Sequence, residues 1–249
     1  VAINTYYEQD QEGSHQMTTI LSRISVEELR HVKNNKNVSY PVIVIEPRPR
    51  QARLLRSKLS DDDRFIILEK ELDTKDGSSD FFVYDDIKDA YYKDWNLSSL
   101  HEFSDNVIDC LTFFRASEDL KNHIKHVCGN PTKTIVETSR LDTIISKYDI
   151  SHIDYLDVTR SQGNQFNALS SIGEKIDIVR KGVSVGAWGY QIHQSDGNHA
   201  LDIARWLANS GNDFQLHIHN DKHPINITYR RGFCRGLWAK VWFNRQEKI

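Results

Sequence analysis

Short apolar runs alternate with amphipathic stretches along most of this chain. Val42-Ile43-Val44-Ile45 and Phe65-Ile66-Ile67-Leu68 are continuous apolar runs, the pattern of strands buried on both faces. Between them, residues 49–59 carry Ala52, Leu54, Leu55 and Leu59 among arginines, a spacing that predicts an amphipathic helix. Upstream, Ile20 to Ile24 reads as a first strand. Ser25, with Glu28 three residues later, forms a capping box that predicts a helix from Val26, ending at Asn34-Asn35-Lys36-Asn37. Downstream, Asp76-Gly77 is a turn signal and Asp80 to Tyr84 a further strand.

The second half continues the alternation. Thr134 to Glu137, His152 to Val158, Val183 to Trp188, Phe214 to Ile218 and Leu237 to Phe243 read as strands. Leu141 to Tyr148, Asn164 to Ile172 and Ala200 to Ser210 read as helices, the last closed by Gly211. Residues 85–130 are weakly patterned and predict an insertion or lid with a helix near 117–126. Strands alternating with helices predict a doubly wound α/β sheet. The expected division is a polar N-terminal segment, 1–19, followed by one domain, 20–249.

Composition narrows the function classes. Lys and Arg number 32 and Asp and Glu 35, a formal net charge of −3, which does not fit a duplex-binding protein with a uniformly basic surface. No apolar run approaches the roughly 18 residues of a membrane span. The stretch Val1 to Gln16 is too polar for a signal peptide. Cys110, Cys128 and Cys234 are far apart and form no Cys-x-x-Cys, which points to a reducing, intracellular compartment. Glycine numbers 12 in 249 residues, below the average of about 7 %. Only Gly13 lies in the first 76 residues, so that stretch holds no glycine-rich phosphate loop.

In an open α/β sheet, ligands bind beyond the carboxyl ends of the strands. Glu46 follows Val42–Ile45 directly and is placed to accept two hydrogen bonds from a ribose diol; a helix cap or surface charge is the alternative. Asp157 closes the strand from Ile153, and could orient a substrate hydroxyl, act as a base or cap a helix. Glu69-Lys70-Glu71 follows Phe65–Leu68, where an adenine would lie if Glu46 held its ribose; a solvated charge cluster is the alternative.

Taken in order, these segments resemble the FkbM-type S-adenosylmethionine-dependent methyltransferases. Val42-Ile43-Val44-Ile45-Glu46-Pro47-Arg48-Pro49 is similar to the family's V-x-x-F-E-P-x-P. Ile66 to Leu72 with Asp76-Gly77 and Phe81-Phe82-Val83, then Asn96 to Leu100, Arg140 to Ile145, and Ile153 to Val158 with Gln162 to Leu169, resemble its later segments. The resemblance covers roughly residues 41–190. It implies a Rossmann-like class I methyltransferase sandwich, a mostly parallel sheet with an antiparallel C-terminal strand. It further implies S-adenosylmethionine as cofactor, with Glu46, Lys70 and Glu71 binding it. The expected reaction is in-line O-methylation of a small-molecule or glycan hydroxyl, driven mainly by proximity, with Asp157 or a nearby His as base. Aligning on I-D-x-L sets Asp157 and Thr159 at the family's Lys and Asp.

The chain departs from the family at one loop. The family carries D-x-G-A-x-x-G after its first strand, ~20 residues before the acid. Here Ser22-Arg23-Ile24-Ser25 stands in its place, without glycine. Ser22 and Ser25 are the expected cofactor contacts there. The second expectation is therefore a pseudo-enzyme: a methyltransferase fold without the cofactor loop, serving as a binding or scaffold subunit with protein partners.

Two other patterns compete. His217-x-His219 with Asp221 and His223 is the densest ligand cluster, and alternate strand residues share a face. Nothing upstream matches it as a partner, and no metal is expected. Arg48, Arg50, Arg53, Arg56 and Lys58 make a helix face basic, and Arg230, Arg231 and Arg235 neighbour Trp238 and Trp242. Such interleaving can bind RNA, but a solvated face balanced by Asp61-Asp62-Asp63 is the stronger reading. Tyr91, Tyr92 and Trp95 could line a substrate lid or sit in the core.

Overall fold

The computed structural model describes residues 17–24, 26–34, 38–84, 98–102, 117–158, 160–161, 163–188, 200–210, 214–218 and 238–245. The chain begins with β1 (Met17–Ser22), α1 (Val26–Asn34), β2 (Val38–Ile45), α2 (Pro49–Lys58) and β3 (Phe65–Leu68). Then come β4 (Glu71–Leu72), β5 (Gly77–Val83), α3 (Glu118–Gly129), β6 (Thr132–Ser139) and α4 (Leu141–Lys147). Next are β7 (Ile153–Asp157), α5 (Gln165–Ser170), a 3-10 turn at Gly173–Ile178 and β8 (Val179–Trp188). The last elements are α6 (Ala200–Asn209), β9 (Phe214–Ile218) and β10 (Trp238–Arg245).

A seven-stranded sheet runs in the order β3-β2-β1-β7-β8-β10-β9. Its first five strands pair in parallel. The last strand, β10, lies antiparallel between β8 and β9. The result is a mixed α/β fold with a mostly parallel central sheet, compatible with a Rossmann-like architecture. The chain runs outward from β1 through β2 to β3, then returns to β7 on the other side of β1. That reversal, between β1 and β7, is the topological switch point where such sheets form a ligand crevice.

The apolar runs explain the layering. Val42, Ile43, Val44 and Ile45 are all buried, and their side chains alternate between two cores. Ile43 and Ile45 join Ile20, Leu156, Val183 and Val185 with Leu141, Ile144 and Ile145 of α4, Ala168 and Leu169 of α5, and Ile203 and Leu207 of α6. Val42 and Val44 join Leu21 with Leu29 and Val32 of α1 and with Leu55 and Leu59. Helices therefore cover both faces, which is why the central strands read as unbroken apolar runs.

Two differences from the sequence reading stand out. Asp80 to Tyr84 and Thr134 to Glu137 were expected among the strands of one doubly wound sheet. Their counterparts, β5 and β6, form a separate three-stranded sheet with the two-residue β4. β6 runs parallel to β4 and antiparallel to β5. Ile135 in β6 is 72 % exposed, so β6 never had the two-sided burial of a central strand, and apolar type alone does not separate the cases. The second difference is the boundary at 19: β1 begins at Met17, and Thr18 and Thr19 are buried within it.

Of the expected insertion at 85–130, the described parts are Ser98 to Glu102 and, from Ser117 onward, α3. Ser99 bridges to Phe82 through two backbone hydrogen bonds, 2.8 and 3.0 Å, and Leu100 joins Phe81 and Val136 in a small core. Tyr91, Tyr92, Trp95, Asn96, Cys110, Cys234, Arg230, Arg231 and Arg235 lie outside the described residues. Among the described residues, no helix is long and apolar enough to cross a membrane.

Candidate functional site

The carboxyl ends of β1, β2 and β7 bring the site together. Ser22 is the last residue of β1 and buried. Its hydroxyl lies 2.6 Å from that of Ser161, in the turn that follows β7. The backbone carbonyl of Ser161 accepts the backbone N–H of Asn164 at 2.8 Å. Asn164, also buried, donates its side-chain amide to the Leu72 carbonyl at 2.5 Å. The backbone N–H of Leu72 in turn donates to Glu71 Oε1 at 3.0 Å. One hydrogen-bonded path thus connects the end of β1, the β7 turn and β4.

Arg23 closes this path into a ring. Its backbone N–H donates to the Ile45 carbonyl at 2.8 Å, extending the β1–β2 ladder by one residue. Its φ is +53°, a left-handed conformation uncommon for a residue with a side chain. The guanidinium forms an ion pair with Glu71 through Nη2 and donates to the Ser98 carbonyl through Nη1. It lies over the Phe81 ring, 5.2 Å from the centroid. Arg23 is 2 % exposed and Glu71 0 %.

Burial pushes the Glu71 carboxyl above the usual carboxylate range despite the attraction of Arg23, and the nearby Glu46 carboxylate adds to that rise. The Glu46 carboxylate therefore acts electrostatically on Glu71. Their partners are another matter. Glu46 is fully buried, and its Oε1 accepts from the Arg48 backbone N–H at 3.0 Å and Nε at 2.8 Å. Its Oε2 accepts from Arg48 Nη2 at 3.1 Å. Both oxygens are engaged by the residue two positions on.

The remaining expected contacts scatter. Lys70 pairs with Glu137 of β6 at 3.1 Å, and Glu69 with Arg56 at 2.8 Å. Asp157 is half-buried at the end of β7, where Leu21 is its β1 partner and Ser184 its β8 partner. Ser25, Thr159 and Gln162 lie outside the described residues. Of the histidine cluster, His217 belongs to β9, while His219, Asp221 and His223 lie outside the described residues. Among the described residues, no group of three His, Cys, Asp or Glu could hold a metal ion.

Arg23, Ser161 and Asn164 were not singled out by sequence reasoning. For Arg23 a signal existed: a bulky cation where the resembled family has a glycine loop. Nothing in the sequence says that its side chain turns inward. Next to this ring, the His101 imidazole is held below its ordinary range by burial, against a hydrogen bond with Asn164.

No protein-family model matches this chain, and no curated protein matches it.

As arranged, the residues do not fit S-adenosylmethionine. The acid expected to take the ribose has both oxygens engaged, and the side chain of Arg23 lies where the resemblance implies a Cβ-free loop. Among the described residues, the site is a buried polar network.

Proposed function

We propose that this chain is a catalytically inactive, methyltransferase-like protein that acts as a binding or scaffold subunit of a larger assembly. One observation carries this reading: the buried Arg23–Glu71 pair just beyond the carboxyl end of β1, where an open α/β sheet receives its ligands. A protein selected to admit a nucleotide-like cofactor gains nothing from burying an arginine there. Titration calorimetry of the full chain with S-adenosylmethionine tests it. The expected result is no saturable heat at millimolar ligand. Saturable binding by the unmodified chain overturns the reading.

A second reading is favoured by the layout around the pair. The sheet is parallel with an antiparallel last strand, and Glu46 ends β2 as a ribose acceptor would. These support an S-adenosylmethionine-dependent O-methyltransferase acting on a small-molecule or glycan hydroxyl. It requires Arg23 and Arg48 to release the two carboxylates, and the same titration decides it.

A further inference from the structure

The helix α2 carries more positive charge than its surroundings neutralise. Arg48, just before it, is held by Glu46, and Arg56 by Glu69. The acidic run Asp61-Asp62-Asp63, the expected balance for this face, is largely engaged elsewhere. Asp61 pairs with Lys33 of α1, and Asp62 with Arg64. Asp63 is the member of that run without an ion pair among the described residues. Arg50, Arg53 and Lys58 are exposed and have no acidic partner among the described residues.

These three cations share one side of the helix. Positions 50, 53, 54, 57 and 58 follow the spacing of neighbours on a helical face. Leu54, 41 % exposed, and the exposed Ser57 complete the row. The other side, Ala52, Leu55 and Leu59, is buried. From Arg50 to Lys58 the row runs about 12 Å along the axis. Helix stability does not explain it. A cation in the first turn opposes the positive end of the helix dipole, yet Arg50 stands there and no acid does.

We infer that this face of α2 is a docking surface for single-stranded RNA. A flexible polyanion with one charge per nucleotide meets a short row of cations without a matched pattern, whereas an acidic helix must present its carboxylates in register. Guanidinium groups bind phosphate by two parallel hydrogen bonds and also stack on unpaired bases, and Leu54 offers them an apolar contact. The Ser57 hydroxyl is a donor and acceptor for the 2′-hydroxyl that distinguishes RNA from DNA. A bilayer fits less well, because the apolar side of α2 is already in the core and a surface helix must bury that side in lipid. The inference is independent of whether the site beyond β1 binds S-adenosylmethionine.

The test is fluorescence anisotropy of the full chain with labelled oligouridine across a salt series, with circular dichroism as the folding control. The expected result is saturable binding at about 50 mM salt, with a slope of log K against log salt of roughly −2, about 0.7 for each of three contacts. Arg50→Gln/Arg53→Gln/Lys58→Gln should bind at least about tenfold more weakly, with a slope near zero. Oligouridine should bind more tightly than oligodeoxyuridine, and Ser57→Ala should remove that preference. No saturable binding by wild type, a salt-independent affinity, or an unchanged slope in the folded triple variant overturns the proposal. Equal binding of the DNA oligomer by wild type overturns the assignment to RNA. Binding of polyglutamate or phosphatidylserine vesicles, but not oligouridine, with the same dependence on these cations gives the face to an acidic protein or a lipid surface and also overturns it. Should the triple variant not fold, the three single variants replace it, each expected to reduce the slope by about 0.7, and three unchanged slopes overturn the proposal.

Discussion

The carboxylate of Asp154 accepts the backbone N–H of Thr18 at 2.7 Å, across 136 positions of sequence. Thr18 is the residue just before the β1–β7 pairing begins at Thr19 and Tyr155. The side chain thus satisfies a β1 donor at the start of that ladder. Both residues are buried. Asp154→Ala leaves that N–H without a partner, and the expected cost is about 1–3 kcal/mol in urea unfolding. Asp154→Asn keeps an acceptor oxygen and should cost less. Equal stability of the alanine variant and wild type would remove Asp154 from the account of how β1 meets β7.

Asp76 fastens the start of α4 to the turn before β5. Its carboxylate accepts from Ser139 Oγ at 2.8 Å, from the Arg140 backbone N–H at 3.1 Å and from Thr143 Oγ1 at 2.7 Å. Burial raises its carboxyl, but the bonds from Thr143, Ser139 and Arg140 together hold it below the ordinary range. Stabilisation from a depressed carboxylate is present above the unfolded value, about 3.9, and is lost as pH falls through the lower folded value. The site is exposed, so solvent screening limits the effect. Asp76→Asn should cost on the order of 1 kcal/mol at pH 7, and the gap to wild type should close below about pH 3. A gap independent of pH would show that the charge contributes nothing.

The central sheet was largely legible in the sequence because burial on both faces writes itself as continuous Val, Ile and Leu. β3 and β9 match their expected runs, Phe65–Leu68 and Phe214–Ile218, and the helix expected at 49–59 is Pro49–Lys58. The small sheet was not legible as a separate unit. β4 has two residues, too few for any period, and β6 pairs an exposed Ile135 with a buried Val136, which composition does not distinguish. At the site, strand-end reasoning placed Glu46 and Glu71 around one ligand, and in the structure both are buried with protein partners of their own. Their engagement was illegible, since Arg48 folds back on Glu46 and Arg23 turns inward by choices of rotamer and φ that no spacing encodes. Asp76 read only as half of a turn, because its three donors lie more than sixty positions away.

The Arg23–Glu71 pair should show strong non-additivity. Arg23→Met alone leaves Glu71 buried with no cation, and a broken buried pair typically costs about 3–5 kcal/mol. Glu71→Leu alone strands the guanidinium and should cost a comparable amount. The two together replace the pair with apolar side chains and should be close to wild type, within roughly 1–2 kcal/mol. Denaturant unfolding of the four proteins measures the cycle. Additive single costs would mean that the two residues act separately, contrary to their direct contact.

Cys128, near the end of α3, is buried and free, and burial pushes its thiol up to about 12. Only the thiolate reacts with alkylating reagents. At pH 8 such a thiol is about one part in ten thousand thiolate, against about a quarter for an ordinary cysteine near 8.5. Iodoacetamide at pH 8 should therefore leave Cys128 unmodified in the folded chain and label it in urea, as read by peptide mass spectrometry, which separates it from Cys110 and Cys234. The same shift has a stability consequence. Because the folded value is raised, the stabilisation is fully present below the unfolded value and is lost as pH rises from it toward the folded one. Wild type should lose up to about 1.4 kcal/mol per pH unit above about pH 8.5 relative to Cys128→Ala. Both proteins carry the same other titrating groups, so their difference isolates this thiol. Parallel stability curves from pH 8 to 10, or rapid native labelling, would mean that Cys128 is solvated and that the end of α3 does not seal it.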